Sequence, residues 1–282
     1  MPELPEVETI RRQLNEVLLG KKIKKVEVLR EKSFGGDFRK IKGWEIEIIG
    51  RKSKIIEIYF KAKKEMLIIH LKMTGQLVFV DGMKRVVGGH PTADWIKELP
   101  SKHTRVVISF VDGSNLFFND MRVFGWIRLV EVEKYEKEMR QKAPDVTDKE
   151  FSLEYFSDLT KKTSKAIKLL LMDQEKIGGI GNIYANDALY LAKVRPDRKA
   201  NSMSNLEIKN LLAAVREVIA RGIKYGGASA ANYVDTNGLG GTYQEHFLVY
   251  KKDGQNCSKC GGKIRKMTIG GRGTFFCPKC QS

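Results

Sequence analysis

The apolar residues change period partway along the chain, and that change limits the fold more than any other feature. Up to about residue 132 they fall in short runs, at 23–29, 44–49, 55–60, 66–71, 76–80, 105–110, 115–118 and 126–132. Several alternate with charged residues, as in Ile46-Glu47-Ile48 and Ile56-Glu57-Ile58, the two-residue period of a strand with one buried face. Gly35-Gly36, Asp81-Gly82, Gly88-Gly89 and Asp112-Gly113 punctuate the runs. Eight strands with short links and no interleaved helices predict an antiparallel sandwich or barrel. Beyond residue 150 the period becomes 3.6, and helices are expected at 148–159, 164–173, 182–192 and 203–221. The polar, charge-rich stretch 131–150 reads as a boundary, glycine-rich 222–241 as a long loop, and Phe247-Leu248-Val249-Tyr250 as a strand. The stretch 82–90, with Lys84 and Arg85, looks like an insertion without a legible role. The expectation is an α+β chain in three parts: a sandwich at 1–133, a helical domain at 134–243 and a small tail domain at 244–282.

The charge narrows the partner. There are 51 Lys+Arg against 34 Asp+Glu, a formal charge of +17, which predicts attraction to a polyanion. No stretch approaches 18 consecutive apolar residues, and Glu3, Glu6 and Glu8 interrupt any signal-peptide run. A cytoplasmic, nucleoid-associated protein without a membrane partner is therefore expected, acting as a monomer on nucleic acid.

All four cysteines lie in the tail, as Cys257-x2-Cys260 and Cys277-x2-Cys280 separated by sixteen residues. Two such knuckles suit one tetrahedral zinc with four thiolates, a closed and therefore structural site. Gly270-Gly271 between them reads as the turn of a β-hairpin. Lys263, Arg265, Lys266, Arg272 and Lys279 make that hairpin basic, as phosphate contacts require.

At the other end the chain begins Met1-Pro2-Glu3-Leu4-Pro5-Glu6-Val7-Glu8-Thr9. Val7, Ile10, Leu14, Val17 and Leu18 recur at helical spacing, Pro5 suits the first turn, and Glu6 and Glu8 suit the positive end of the helix dipole. By itself this is a well-started surface helix. Aminopeptidases usually remove an initiator Met before a small residue, which would make Pro2 a free secondary amine. An α-amino group titrates near ~8, against ~10.4 for lysine, so much of it is nucleophilic at neutral pH. An amine beside a carboxylic acid is equipment for Schiff-base chemistry. A further motif, Ile177-Gly178-Gly179-Ile180-Gly181-Asn182-Ile183-Tyr184, ends one helix and starts another, whose free N–H groups suit a phosphate; a plain connector with an Asn cap is the alternative.

Together these blocks resemble the formamidopyrimidine-DNA glycosylase family. The resemblance rests on the N-terminal nonapeptide, the Gly-Gly-Ile-Gly-Asn-Ile-Tyr-Ala-Asn-Asp stretch, the four-cysteine tail with Gly-Arg-Gly-Thr, Lys54, His70-Leu71-Lys72-Met73-Thr74-Gly75 and Asp120-Met121-Arg122-Val123-Phe124-Gly125, in that family's order. It implies a bifunctional enzyme that flips oxidised purines, notably 8-oxoguanine and formamidopyrimidines, out of double-stranded DNA, excises them and cleaves the strand by β,δ-elimination. It implies Pro2 as nucleophile, Glu3 as acid–base residue, Glu6 as its support and Lys54 as a contact to phosphate and damaged nucleotide. Glu3, Lys54 and Arg272 are the implied proton donors. His70, Asn182 and Arg272 are implied to hold phosphates. Met73, Arg122 and Phe124 are implied to fill the hole left by the flipped base. The fold implied is a sandwich with a leading catalytic helix, then a helix–two-turn–helix domain ending in a zinc finger, with 222–241 as a lesion-covering lid. Val123 stands where a second basic residue is common, and Lys72 where a small residue or Arg is common. Two alternatives carry other activities: a related endonuclease for oxidised pyrimidines, against which Leu4 speaks, and a non-catalytic zinc-ribbon DNA-binding protein.

Overall fold

A computed structural model describes residues 2–90, 92, 98–228 and 241–282. Met1 and residues 229–240 of the expected lid lie outside the described residues. The chain divides into two compact units. One runs to Gln141 and includes the described ends of the 226–241 stretch; the other comprises 142–225 and 242–282.

The first unit opens with α1 (Leu4–Leu18), which follows the expected apolar stripe. Pro5 sits in its first turn, where a missing N–H costs nothing. Ten strands follow among the described residues: β1 (Ile23–Val28), β2 (Phe34–Gly35), β3 (Ile46–Lys52), β4 (Ile55–Phe60), β5 (Glu65–His70), β6 (Gly75–Asp81), β7 (Lys84–Gly89), β8 (Thr104–Phe110), β9 (Asn115–Asp120) and β10 (Trp126–Glu131). They form two five-stranded sheets, ordered β1-β8-β9-β6-β7 and β2-β10-β5-β4-β3. Every pairing is antiparallel except the two-residue β2–β10 contact. Ile56, Ile58, Leu67, Ile69 and Ile127 of one sheet meet Leu77, Phe79, Val106, Ile108 and Phe118 of the other in a single core, and Val7, Ile10, Leu14, Val17 and Leu18 of α1 join it. This is the expected sandwich with its leading helix.

Several elements differ from the sequence reading, among them the short strand β2. The stretch 82–90 is no insertion: it forms β7, which hydrogen-bonds to β6 at the sheet edge. Only Val86 and Val87 of β7 itself are apolar and the rest of the strand is basic or glycine, so the alternating pattern is too short to read. The charge-rich stretch after β10 contains α2 (Val132–Arg140), of which only Tyr135 is buried. Val132 and Met139 pack beside it only partly buried, so the apolar stripe of α2 is three residues in a charge-rich stretch and is easily missed. The Tyr135 hydroxyl donates to Glu57 at 2.7 Å, and burial pushes the Glu57 carboxyl up.

The second unit holds α3 (Leu153–Lys161), α4 (Ile167–Leu171), α5 (Asn182–Leu191) and α6 (Asn205–Lys224), then the hairpin β11 (Arg265–Ile269) and β12 (Arg272–Phe276). Ser152 caps α3 by accepting the Tyr155 N–H at 3.2 Å. Ser204 and Glu207 exchange bonds across the first turn of α6, a capping box. Residues 247–250 are not the expected strand. Leu248, Val249 and Tyr250 turn their N–H groups onto the buried Asp187 carboxylate at 3.0–3.2 Å instead of onto a neighbouring strand. In the first unit the 226–241 stretch leaves and returns through one narrow point, where a Cβ on Gly241 would lie 2.3 Å from the Gly226 and Gly227 carbonyl oxygens. No described helix is long and apolar enough to cross a membrane.

β7 tests this architecture. A Cβ at Gly88 would lie 2.4 Å from Ile10 Cγ1. Gly88→Ala is expected to cost about 1–3 kcal/mol through overpacking, read as a lowered denaturant midpoint. In an Ile10→Ala background the same change should cost under about 0.5 kcal/mol, because the clash is gone.

Candidate functional site

At the start of α1, Glu3 is the N-cap and is 3 % exposed, and Pro2 is buried beside it. The Glu6 carboxylate reaches back one turn to accept the Glu3 N–H at 2.8 Å. Its other oxygen accepts the Ala228 N–H at 2.7 Å, so Glu6 joins the helix start to the stem of the 226–241 stretch. The sequence suggests Glu6 as a support but gives no sign of this second partner.

Glu8, one turn on, gathers Arg11, Arg12 and Arg51 at 2.8–3.1 Å. Although burial works against ionisation, hydrogen bonds from these guanidinium groups hold its carboxyl down at about 2. Arg51 also donates to the Ser53 carbonyl at 2.9 Å. The tight β3–β4 turn, with Ser53 at φ +53°, is thereby tied to α1 and carries Lys54, which is 5 % exposed.

Strand register brings further candidates to the same end of the sandwich. Ile55 and Trp126 both pair with His70, and Gly75 pairs with Asp120. The loops 71–74 and 121–125, which join the two sheets, therefore leave from there with Met73, Arg122 and Phe124. Met73 is 36 % and Phe124 48 % exposed, and the Arg122 guanidinium lies over the Phe124 ring at 4.7 Å. By apolar pattern alone both residues belong in a core. Instead they form an exposed apolar projection next to buried titratable groups.

His70 Nδ1 accepts the Lys72 N–H at 3.0 Å, which leaves the hydrogen on Nε2. Burial, with the charges of Lys72 and Lys54 adding to it, depresses the imidazole to about 3. His70 is thus neutral at physiological pH, with its hydrogen on Nε2.

In the second unit, the link from α4 to α5 is clamped by Gln174, whose side chain accepts the Gly179 N–H at 3.2 Å and donates to the Ile180 carbonyl at 2.7 Å. Asn182, first residue of α5, donates to the Gly273 carbonyl at 3.1 Å, next to exposed Arg272 on β12. The two phosphate-contact candidates of this unit are thus neighbours. Lys168, fully buried, donates to the same carbonyl at 3.3 Å and to the Thr274 hydroxyl at 2.6 Å. Asn186 accepts the Phe275 N–H at 2.7 Å. Burial pushes the Asp187 carboxyl up, against three backbone N–H donors and the Tyr243 hydroxyl. Lys168 is absent from the sequence reading, and Asn186 and Asp187 enter it only as the end of the glycine-rich motif, without a role of their own. Their one signal is a polar residue on the apolar face of a short helix.

The four cysteine sulfurs lie within 4.8 Å of one another, with Cys260–Cys277 at 3.5 Å and Cys257–Cys280 at 3.8 Å. Tetrahedral ligands about 2.3 Å from zinc stand about 3.8 Å apart, so the spacing fits one zinc ion. The Tyr190 hydroxyl lies 3.1 Å from Cys257 Sγ, as a donor to a thiolate would. The side chain of Gln281 ties the second knuckle to the Val194 carbonyl at 2.8 Å.

Three family models match in sequence. The formamidopyrimidine-DNA glycosylase N-terminal domain matches residues 1–127, the formamidopyrimidine-DNA glycosylase H2TH domain 143–233, and the zinc finger found in FPG and IleRS 254–282. The chain belongs to the formamidopyrimidine-DNA glycosylase family. Formamidopyrimidine-DNA glycosylase of Pelotomaculum thermopropionicum is 36 % identical over 288 residues, covering 100 % of this chain and 99 % of that one. The Bacillus subtilis protein is 36 % identical over 290 residues with the same coverage. The Lactococcus lactis enzyme bound to DNA with an abasic site superposes with a TM-score of 0.87 at 31 % identity over the whole of both chains. The same enzyme has been solved on DNA containing an oxidised pyrimidine, with a TM-score of 0.86. Membership makes this chain a DNA-repair glycosylase with a structural zinc finger.

Two measurements check the site. The purified protein should carry one zinc per chain by elemental analysis, and Cys277→Ser should lose it and unfold the hairpin, because the four thiolate bonds hold the two knuckles together over a small core. His70 has a folded pKa far below its unfolded value of 6.5, so its contribution to stability is present above pH 6.5 and is lost as pH falls toward 3. Between pH 7 and 5 the parent should lose roughly 1–2 kcal/mol more stability than His70→Gln in urea unfolding.

Proposed function

We propose that this glycosylase excises oxidised purines from double-stranded DNA through a Schiff base on Pro2 and then cleaves the strand. The observation that carries the reading is a proline and a carboxylic acid buried together at the start of α1. That helix is tied through Glu8 and Arg51 to the sandwich end that bears Lys54, His70 and the exposed Met73, Arg122 and Phe124.

The chemistry follows from those groups. In a chain from which Met1 has been removed, the Pro2 nitrogen attacks C1′ of the extruded nucleotide. A C1′–N bond to proline forms as the glycosidic bond breaks, and the base leaves with the bonding pair. Glu3, shielded from water, donates a proton to the ring oxygen as the sugar opens, and an iminium remains. The N–H proton of the attached proline passes to the departing base, and because the amine was secondary the iminium has no N–H left to lose and stays charged. Its charge acidifies the C2′ proton, whose loss expels the 3′ phosphate, and a second elimination expels the 5′ phosphate. Lys54 and the neutral His70 N–H hold phosphate near the sugar. Met73, Arg122 and Phe124 fill the space the base leaves, with Arg122 available to the orphaned cytosine. Asn182 and Arg272 grip the backbone from the second unit.

A second reading, preference for oxidised pyrimidines, is supported by the Lactococcus enzyme solved on such DNA. Comparing excision of 8-oxoguanine opposite cytosine with excision of thymine glycol separates the two; faster thymine glycol release favours the second.

Borohydride trapping tests the nucleophile. The processed protein should form a covalent adduct with lesion DNA, and Pro2→Gly or a chain that keeps Met1, as judged by intact mass, should not. Glu3→Gln should lower excision about 10²- to 10⁴-fold while DNA affinity changes little. Equal trapping by Pro2→Gly would remove Pro2 from its role.

A further inference from the structure

The loops 71–74 and 121–125 meet at a buried group that none of the chemistry above uses. Asp120 is fully buried at the end of β9. Its Oδ1 accepts the Thr74 hydroxyl and the Arg122 N–H, the latter at 3.1 Å. Its Oδ2 accepts the N–H groups of Phe124 at 2.8 Å and Gly125 at 2.7 Å. The Thr74 hydroxyl also accepts the Arg122 N–H at 3.1 Å, so it bridges the two loops. Arg105 fixes the Asp120 carbonyl at 2.8 Å from behind. A side chain at position 125 would crowd this carboxylate: a Cβ there would lie 3.1 Å from Oδ2 and 2.9 Å from the Phe118 ring.

Each loop also carries a strained residue beside its projecting side chain. Val123, between Arg122 and Phe124, has φ +54°, and Lys72, before Met73, has φ +51°. A β-branched residue in the left-handed region persists only where its surroundings over-determine the turn. The Asp120 carboxylate does so for Val123, bonding the N–H groups on both sides of it. His70 Nδ1 does so for Lys72.

We propose that Asp120 and Thr74 are positioning residues that lock the two loops into one rigid wedge, so that Met73, Arg122 and Phe124 enter the duplex together. The inference rests on the reading of these three side chains as the groups that replace the extruded base. Asp120 touches neither substrate nor reacting atoms. Its effect falls on extrusion of a paired base and leaves chemistry at a site that has no base largely untouched.

The test uses the full-length, zinc-loaded protein. Asp120→Asn replaces one acceptor oxygen by a donor that faces N–H groups. Thr74→Val removes the bridging hydroxyl, and Thr74→Ser keeps it. Single-turnover rates are measured on 8-oxoguanine opposite cytosine and on a preformed abasic site opposite cytosine, with a thermal midpoint for each variant. Asp120→Asn and Thr74→Val should slow excision of the lesion by about tenfold or more, the scale of a misplaced positioning group, with abasic-site cleavage within about twofold of the parent. Thr74→Ser should behave as the parent on both. Equal losses on the two substrates, or no loss on the lesion, would overturn the proposal. If Asp120→Asn fails to fold, the Thr74 pair decides alone. Arg122→Ala and Phe124→Ala separate the two levels. If they leave lesion excision intact, the wedge reading fails; if they slow it while Asp120→Asn and Thr74→Val do not, only the lock fails.

Discussion

Buried backbone N–H groups must find acceptors, and where this chain leaves regular structure a carboxylate supplies them. Glu6 accepts Glu3 and Ala228, Asp120 accepts Arg122, Phe124 and Gly125, and Asp187 accepts Leu248, Val249 and Tyr250. Each sits where a functional segment joins its scaffold: the helix start with Pro2, the loop with Arg122 and Phe124, and the approach to the zinc finger. In a chain of net charge +17 these three acidic side chains are occupied as backbone acceptors. The excess of lysine and arginine over acidic residues suits a polyanionic partner.

The division of labour within the first unit follows from burial. Glu3 and Lys54 are shielded from water, so charge on either is felt strongly by its neighbours. His70 is driven neutral by the same shielding and by two lysines. Met73 and Phe124 lie at the opposite extreme, exposed although apolar, and draw on the loop backbone rather than a core for their position. In the proposed mechanism, chemistry is thus kept where the dielectric is low and insertion where a duplex has access.

Much of this was legible in the sequence, for identifiable reasons. The sandwich strands alternate because each has one face on a shared core, and α1 shows its stripe because it rests on that core. The cysteines announce a metal because four thiolates at that spacing have few other uses. β7 stayed hidden because an edge strand under a helix needs only Val86 and Val87, and α2 because its stripe is only Val132, Tyr135 and Met139 among charged residues. The segment 247–250 looks like a strand by composition, but its N–H groups belong to Asp187, an acceptor sixty residues away in sequence. The candidate site shows the same limit. Resemblance marks Pro2, Glu3, Met73 and Arg272, whereas Glu8, Asp120, Lys168 and Asp187 act through tertiary geometry, which no local pattern carries.

The narrow point at Gly226 and Gly241 brings the two ends of one stretch of chain together. Because the stretch departs and returns at one spot, with its stem held by Glu6, the entropy of closing it grows only slowly with its length. Residues can be gained or lost between those glycines without moving either anchor. Relatives built on this plan therefore have latitude in the length of chain between those two glycines while α1, the two sheets and the zinc hairpin keep their places.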